Sequence, residues 1–546
     1  MAPARTPKIV AFRVVFAFIG TLVILHTLPM FAQAPSFQPA VTYASGGSVP
    51  SSVALGDLNG DGILDIVVAN QCVTSDTCPS GGHVCFSADY CSHGAVGVLL
   101  GNGDGTFRPA VTYETGGYLS FSIALGDLNG DGKLDLVVVN DCGAVPIDSE
   151  GNCPYATFDV MFGNGDGTFG PPVSYQLDGW APVSVAVGDL NGDGKSDIVV
   201  ADICNMPNTC SGTGCTCTTG LVEVLLNEGS GIFSRPIPYD SGAPFGRSVA
   251  LGDVNRDGKL DLLVGNEGYV GVLLGNGDGT FKPAVTYGSG ASITVGDVNS
   301  DGKPDLLAAE QWSSSGVASV LLGNGDGTFK PAALYPTGGQ YARSVAVADV
   351  NGDGKPDLVV ANGGGPDQRA VGVLTGNGDG TFQPAVIFDS GGGTFSVAAG
   401  DLNKDGSPDV VVVNTTGLGL GVLLNNTPFC TTAPTITLST TPTSLWPPNG
   451  KMVPVTISGT VTDTGSGCSI KTAAYAVKDE YREVQPTGSV TLGVGGTYSF
   501  TVWLQTSRLG TDLDGRLYTV TVSASNNAGK TGSQAATVIV PHDRGP

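Results

Sequence analysis

The nine-residue string D-x-N-x-D-G-x-x-D occurs seven times in this 546-residue chain, beginning at Asp57, Asp127, Asp189, Asp253, Asp297, Asp349 and Asp401. The intervals are 70, 62, 64, 44, 52 and 52 residues. A nine-residue β-roll would repeat its motif in tandem, so the string instead marks one element inside a larger supersecondary unit. Each copy sits between strand-like runs, Ser52 to Gly56 before the first and Ile66 to Ala69 after it. A variable segment follows, then a third apolar run such as Val96 to Leu100, the pentamer GNGDG, and a fourth run, Thr106 to Tyr113. One repeat is therefore four strands. The pentamer reads as a tight turn: its glycines supply positive φ, which Asn102 and Asp104 also tolerate.

Counting strands predicts closure. The fourth-strand signature also stands at Ser36 to Tyr43 (SFQPAVTY), ahead of any complete repeat, while the seventh repeat stops at Asn425-Asn426-Thr427 without one. The first segment can thus complete the last sheet. The expected fold is all-β, a seven-bladed β-propeller of four-stranded blades whose N-terminal strand closes the last blade. Such a ring leaves only short, protected edges. An open stack of hairpin pairs is the competing arrangement. Composition agrees with a turn-dense β protein: 83 glycines with only 14% charged residues exclude a coiled coil and a charge-rich disordered chain. The net charge of −24 repels phosphate backbones and attracts cations, which argues against nucleic-acid binding.

The loop chemistry points to a hard cation, which takes six to eight oxygens at about 2.3–2.6 Å. Positions 1, 3, 5 and 9 supply side-chain donors and position 7 a carbonyl. In the first copy these are Asp57, Asn59, Asp61 and Asp65 with Ile63. The second offers Asp127, Asn129, Asp131 and Asp135 with Lys133, and the third Asp189, Asn191, Asp193 and Asp197 with Lys195. The fourth has Asp253, Asn255, Asp257 and Asp261 with Lys259, and the fifth Asp297, Asn299, Asp301 and Asp305 with Lys303. Asp349, Asn351, Asp353 and Asp357 with Lys355, then Asp401, Asn403, Asp405 and Asp409 with Ser407, complete the set. An EF-hand would continue to an acid at position 12 in a helix, whereas Val68 stands there. Three carboxylates in one short loop repel without a counterion. Seven Ca²⁺ ions would bring the net charge from −24 to −10, and Mg²⁺ fits less well because it holds its water and demands octahedral geometry. The competing account has the carboxylates capping turns only.

DLNGDGKLDLVVVN with LLGNGDGTFRPAVTY resembles the FG-GAP and VCBS-type repeats, related to the blades of the integrin α-subunit propeller, over about residues 36–427. The resemblance implies calcium in the loops and a propeller that mediates extracellular recognition or adhesion.

Residues 1–34 read as a secretory signal: Arg5, Lys8 and Arg13, an apolar run from Val14 to about Phe31, then Ala32-Gln33-Ala34. Cleavage after Ala32 competes with cleavage after Ala34, and an uncleaved anchor is the alternative. The 12 cysteines fall into local groups, as disulfides in an exported protein do. Three insertions, Gln71 to Gly94, Asp141 to Ala156 and Asp202 to Gly220, hold ten of them and lie on the face opposite the acidic loops. That face is the expected recognition surface, with Tyr90, His93, Tyr155 and Phe158 as contacts. The propeller is expected over 35–429 and, over 430–546, a sandwich similar to bacterial immunoglobulin-like domains through LWPPNGK and YTVTVSASNNAGK. Trp446 is expected to pack. With four histidines and no GxSxG, HExxH or P-loop, the chain reads as a secreted or surface-bound, non-enzymatic binding or adhesion protein for an extracellular glycan or protein, and the resemblance implies a bacterial source. No membrane span is expected once the signal is removed. The alternative is a calcium-dependent polysaccharide lyase.

Overall fold

The structure is a computed structural model. It describes residues 34–542 other than 74–92, 144–154, 205–209, 212–213, 216–218, 289, 312–313, 364–368, 417–418, 428–431, 464–467, 469, 508, 510–513 and 527–528. The signal, apart from Ala34, therefore lies outside the described residues, as do Tyr90 and most of the three insertions.

Each acidic loop joins two antiparallel strands. In the first sheet Gly47–Gly56 enters the loop and Asp65–Val73 leaves it; Ala95–Leu99 pairs with the second strand and Val111–Glu114 with the third. The same four-strand order recurs in sheets that begin with Gly117–Gly126, Trp180–Gly188, Gly246–Gly252, Ser292–Gly296, Ala342–Ala348 and Gly393–Gly400. Second strands are apolar runs because both of their faces are covered: every residue of Asp65–Val73 is buried. The first strands touch in a cycle, Gly47–Gly56 meeting both Gly117–Gly126 and Gly393–Gly400. Apolar cores fill the gaps between neighbouring sheets. Val67 and Val98 pack with Leu136 and Met161, and across the closing gap Ile66 and Leu99 pack with Val411 and Val422.

The last of these sheets takes its fourth strand from the start of the chain. Val41–Ala44 pairs antiparallel with Gly419–Leu423, Val41 lying opposite Val422. The pairing continues outward through Gln38 N–H donating to the Leu424 carbonyl (2.8 Å) and Asn426 N–H to that of Ser36 (2.9 Å). The strand is shorter than the run Ser36 to Tyr43 suggests. Pro39, and Pro109 in the first repeat, has no N–H and interrupts the ladder, leaving an isolated bridge at Phe37 or Phe107 before the strand proper. Phe107 and its counterpart Phe169 are nearly buried inter-sheet wedges: Phe107 meets Tyr43 edge-on at 5.5 Å and Phe169 meets Tyr113 at 5.8 Å.

C-terminal to this ring, Thr435–Thr441, Met452–Thr462 and Thr497–Gln505 form one sheet. Thr487–Ser489, Ile470–Asp479, Arg516–Asn526 and Thr531–Val540 form a second. Both contribute to one core that includes Val455, Ile457, Val502, Tyr518 and Val520. Within it Arg516 and Asp479, both fully buried, pair at 2.6 Å, the guanidinium lying between the Tyr481 and Tyr518 rings. Trp446 does not pack as expected: it is 41% exposed, and its neighbour Leu445 is the buried residue of that segment. Among the described residues no helix is long and apolar enough to cross a membrane.

Candidate metal centre

Every loop is organised by its own side chains. In the first, Asp57 Oδ1 accepts from the N–H groups of Gly60 (2.8 Å) and Asp61 (3.1 Å), and its Oδ2 from Gly62 (2.7 Å). Asn59 Oδ1 accepts from Asp61 N–H and Asp61 Oδ1 from Ile63 N–H, at 2.9 and 2.8 Å. Asp401, Asn403 and Asp405 repeat the pattern in the last loop. Short polar side chains at alternate positions thus bind backbone two to five residues ahead. The bend requires left-handed backbone at positions 4 and 6. Glycine supplies it at Gly60 and Gly62, whereas Arg256, Ser300 and Lys404 adopt it at position 4 with φ near 60°.

Position 9 has a task that the sequence did not disclose. Asp65 is fully buried; its Oδ2 accepts from Leu58 N–H inside the loop (3.0 Å) and its Oδ1 from Gly101 N–H at the head of the GNGDG turn (2.8 Å). Asp135, Asp197, Asp261, Asp305, Asp357 and Asp409 do the same in their own sheets. In the first six sheets the carboxylate staples the loop between strands one and two to the turn between strands three and four; in the seventh, Asp409 holds Asn425, just after strand three. The loop also reaches the next sheet. Leu58 carbonyl accepts from Gly167 N–H, Leu190 from Gly279 and Val254 from Gly327, while the Asn227 and Asn425 amides serve Leu128 and Val350. Burial raises all seven of these acids above the usual carboxylate range, Asp357 to about 7 and Asp409 to about 6.

The lysines at position 7 are not mere bystanders. Lys195 Nζ lies 2.8 Å from Asp193 Oδ2 and Lys303 Nζ 3.3 Å from Asp301 Oδ2, so an ammonium partly neutralises the position-5 carboxylate. In the sixth loop burial raises both Asp349 and Asp353, and the charges of Lys355 and, from the C-terminal sandwich, Lys471 oppose the rise at Asp353. The GNGDG acids are spoken for: Asp104 accepts from both the N–H and the hydroxyl of Thr106, which lowers its pKa.

Among the described residues no three His, Cys, Asp or Glu side chains form a metal-holding cluster. The arrangement above explains this, since position 3 is an amide and position 9 faces backbone N–H groups. Each loop nevertheless presents only hard oxygen donors, two carboxylates, an amide oxygen and a carbonyl, with a further buried carboxylate behind them. That donor chemistry fits calcium and suits no softer metal.

Residues 85–138, 151–200, 214–264, 253–308, 297–360 and 349–412 match the FG-GAP-like repeat, and 49–71 match the FG-GAP repeat. The chain belongs to the FG-GAP repeat family. Relatives include integrin alpha-PS5 of Drosophila melanogaster, 38% identical over 112 residues, which are 19% of this chain and 11% of that protein. Human integrin alpha-IIb is 30% identical over 168 residues (28% and 15%), and integrin alpha pat-2 of Caenorhabditis elegans 31% over 199 (32% and 15%). The FG-GAP chain thus spans well under a fifth of the length of these relatives. A solved structure described as showing recognition of non-reducing terminal N-acetylglucosamine by an Agrocybe aegerita lectin covers 71% of this chain and 97% of its own, at 18% identity and a TM-score of 0.41.

Of the four expected contacts on the face opposite the loops, Phe158 is wrongly placed. It is fully buried, stacked on Tyr175 at 4.9 Å, because its strand Thr157–Met161 is covered on both faces. His93 stacks on Tyr118 at 5.6 Å, and Tyr155 packs against Gly143. Cys72, Cys142, Cys204 and Cys468 are disulfide-bonded. Sequence reading also missed a buried acidic pair. Asp202 and Glu223 occupy positions that hold Asn70 and Gly97 in the first sheet, where Asn70 bonds Ser45. Neither Asp202 oxygen, nor Glu223 Oε2, has a hydrogen-bond partner among the described residues.

Proposed function

We propose that this FG-GAP protein is an exported, calcium-stabilised recognition protein, with a propeller over 35–429 and an immunoglobulin-like module over 430–546, that binds an extracellular glycan or protein without catalysis. The observation that carries the reading is the sevenfold recurrence of one loop in which Asp, Asn and Asp oxygens are held together by backbone N–H groups. Asp57, Asn59, Asp61 and the Ile63 carbonyl would hold the ion in the first loop, with Asp65 bracing the loop from behind, and the equivalent residues elsewhere. Bound calcium would supply charge neutralisation and rigidity. Similarity to integrin α subunits supports an adhesive role.

The sites resemble those of weak extracellular modules, with affinities on the order of 10⁻⁴–10⁻³ M, so stabilisation should grow with free calcium by mass action. Metal analysis of protein equilibrated in millimolar calcium is expected to find close to seven ions per chain, and chelation to lower the melting temperature. A chain that takes up no calcium and melts unchanged in chelator refutes the reading.

A further inference from the structure

Five residues before the first aspartate of every loop stands a serine, from Ser52 in the first sheet to Ser396 in the last. These serines line a cavity of about 260 Å³ bounded by the first strands of all seven sheets, on the axis of the ring and away from the acidic loops. Their hydroxyls are partly committed. Ser122 Oγ accepts from Val185 N–H in the next sheet (3.3 Å), Ser184 Oγ from Val249 (3.1 Å), Ser248 Oγ from Ile293 (3.3 Å) and Ser344 Oγ from Val397 (3.4 Å). In these four serines one lone pair of the oxygen is used in stitching neighbouring sheets, which leaves the O–H to donate. The wall of the cavity is a ring of donors.

The residue before each serine varies, and in two sheets it is arginine. Arg247 and Arg343 both line the cavity, and no Asp or Glu does among the described residues. Burial lowers the pKa of both; Arg247's charge lowers that of Arg343 further, so the two guanidiniums repel each other across the space. Glu267, outside the lining, acts on Arg247 alone. Phenyl rings orient the two forks: Arg343 lies 5.7 Å from the Phe395 centroid and Arg247 6.0 Å from that of Phe245. Two cationic side chains and a wall of serine hydroxyls, with no acid in the lining among the described residues, match the charge and the donor geometry of an oxyanion.

We propose that the axial cavity binds the oxyanion group of a small polar ligand: a carboxylate, sulfate or phosphate gripped by Arg247 and Arg343 and by serine hydroxyls. The volume admits a headgroup or one sugar residue, not a polymer. The site does not depend on the acidic loops, so calcium uptake and anion binding can fail separately.

The test titrates the full calcium-loaded chain by calorimetry with galacturonate, inorganic sulfate and galactose 6-phosphate, with galactose as the neutral control. The expected result is one-to-one binding of at least one oxyanion and none of galactose. Kd should rise at least tenfold in Arg343→Gln and in Arg247→Gln, and less in Arg343→Lys, which keeps the charge but loses the fork. Which probe binds most tightly identifies the source of the oxyanion. A second measurement needs no variant: the bound oxyanion should protect Arg247 and Arg343 of the unsubstituted chain from phenylglyoxal, read by peptide mass spectrometry. Failure of all three oxyanions to bind, equal binding of galactose, or modification of both arginines at the same rate with and without oxyanion overturns the proposal.

Discussion

Replacing Glu223 with glutamine should change how stability depends on pH. Glu223 is fully buried; Asp178 N–H donates to its Oε1 at 2.9 Å, and its charge raises the pKa of Asp202. Burial pushes the Glu223 carboxyl to about 7 from 4.5, while burial, then Glu223, then Asp141 hold Asp202 well above the carboxylate range. The folded state therefore binds the Glu223 proton more tightly than the unfolded chain does. Its contribution is fully favourable below pH 4.5, declines as pH rises, and is lost through pH 7. A shift of about 2.5 units corresponds to about 3 kcal/mol between pH 4.5 and pH 8.5, or roughly 4 °C in melting temperature for a cooperative unit of this size. Glutamine keeps the acceptor for Asp178 and offers an amide to Asp202, with nothing to ionise. Differential scanning fluorimetry in saturating calcium from pH 5 to 8.5 should thus show Glu223→Gln losing less stability than the unsubstituted chain, with the larger advantage at high pH. Parallel pH profiles for the two proteins, or an advantage for the variant only at low pH, would refute the reasoning.

Asp479→Ala should cost about 3 kcal/mol, because it removes the fully buried partner of Arg516 and leaves only the exposed Glu483 carboxylate to balance the guanidinium; chemical denaturation of the C-terminal core reads the loss. In the unsubstituted protein the lowered Asp479 pKa makes its share of stability present above pH 3.8 and lost only as pH falls below it. Deleting residues 35–44 should expose the Gly419–Leu423 edge and lower the melting temperature, and a synthetic peptide of that segment added in trans should restore it; an unchanged melt would contradict the pairing. Ser300→Gly should stabilise the fifth loop by about 1 kcal/mol by relieving its left-handed backbone, seen as a higher urea midpoint.

Much of the architecture is written in local sequence. Strand alternation, the GNGDG turns and the surplus segment at Ser36 are all contiguous signals, and the pairing of Val41–Ala44 with Gly419–Leu423 follows from counting them. The loops were legible as acidic turns for the same reason. Contacts between segments with no fixed spacing were not. Asp65 reaches a turn 36 residues on, and Asp261 one only 14 residues on, so no motif carries the staple. The serines of the axial cavity do keep a constant distance from the loops, but a serine in a strand has no reason to attract notice until seven of them are seen to converge. Phe158 misled because an aromatic residue beside a variable insertion looks exposed, whereas its strand is sealed on both faces.

The sheet assembled from both ends of the ring also orders events in time. During synthesis or export, Val41–Ala44 is among the first described segments to appear, yet its partner Gly419–Leu423 emerges nearly four hundred residues later. Val41–Ala44 must therefore wait, unpaired, until the last strand of the ring has emerged. Quality control is thereby built into the geometry: a nascent chain truncated anywhere before Gly419 cannot latch, and only one that carries this strand can conceal the seam.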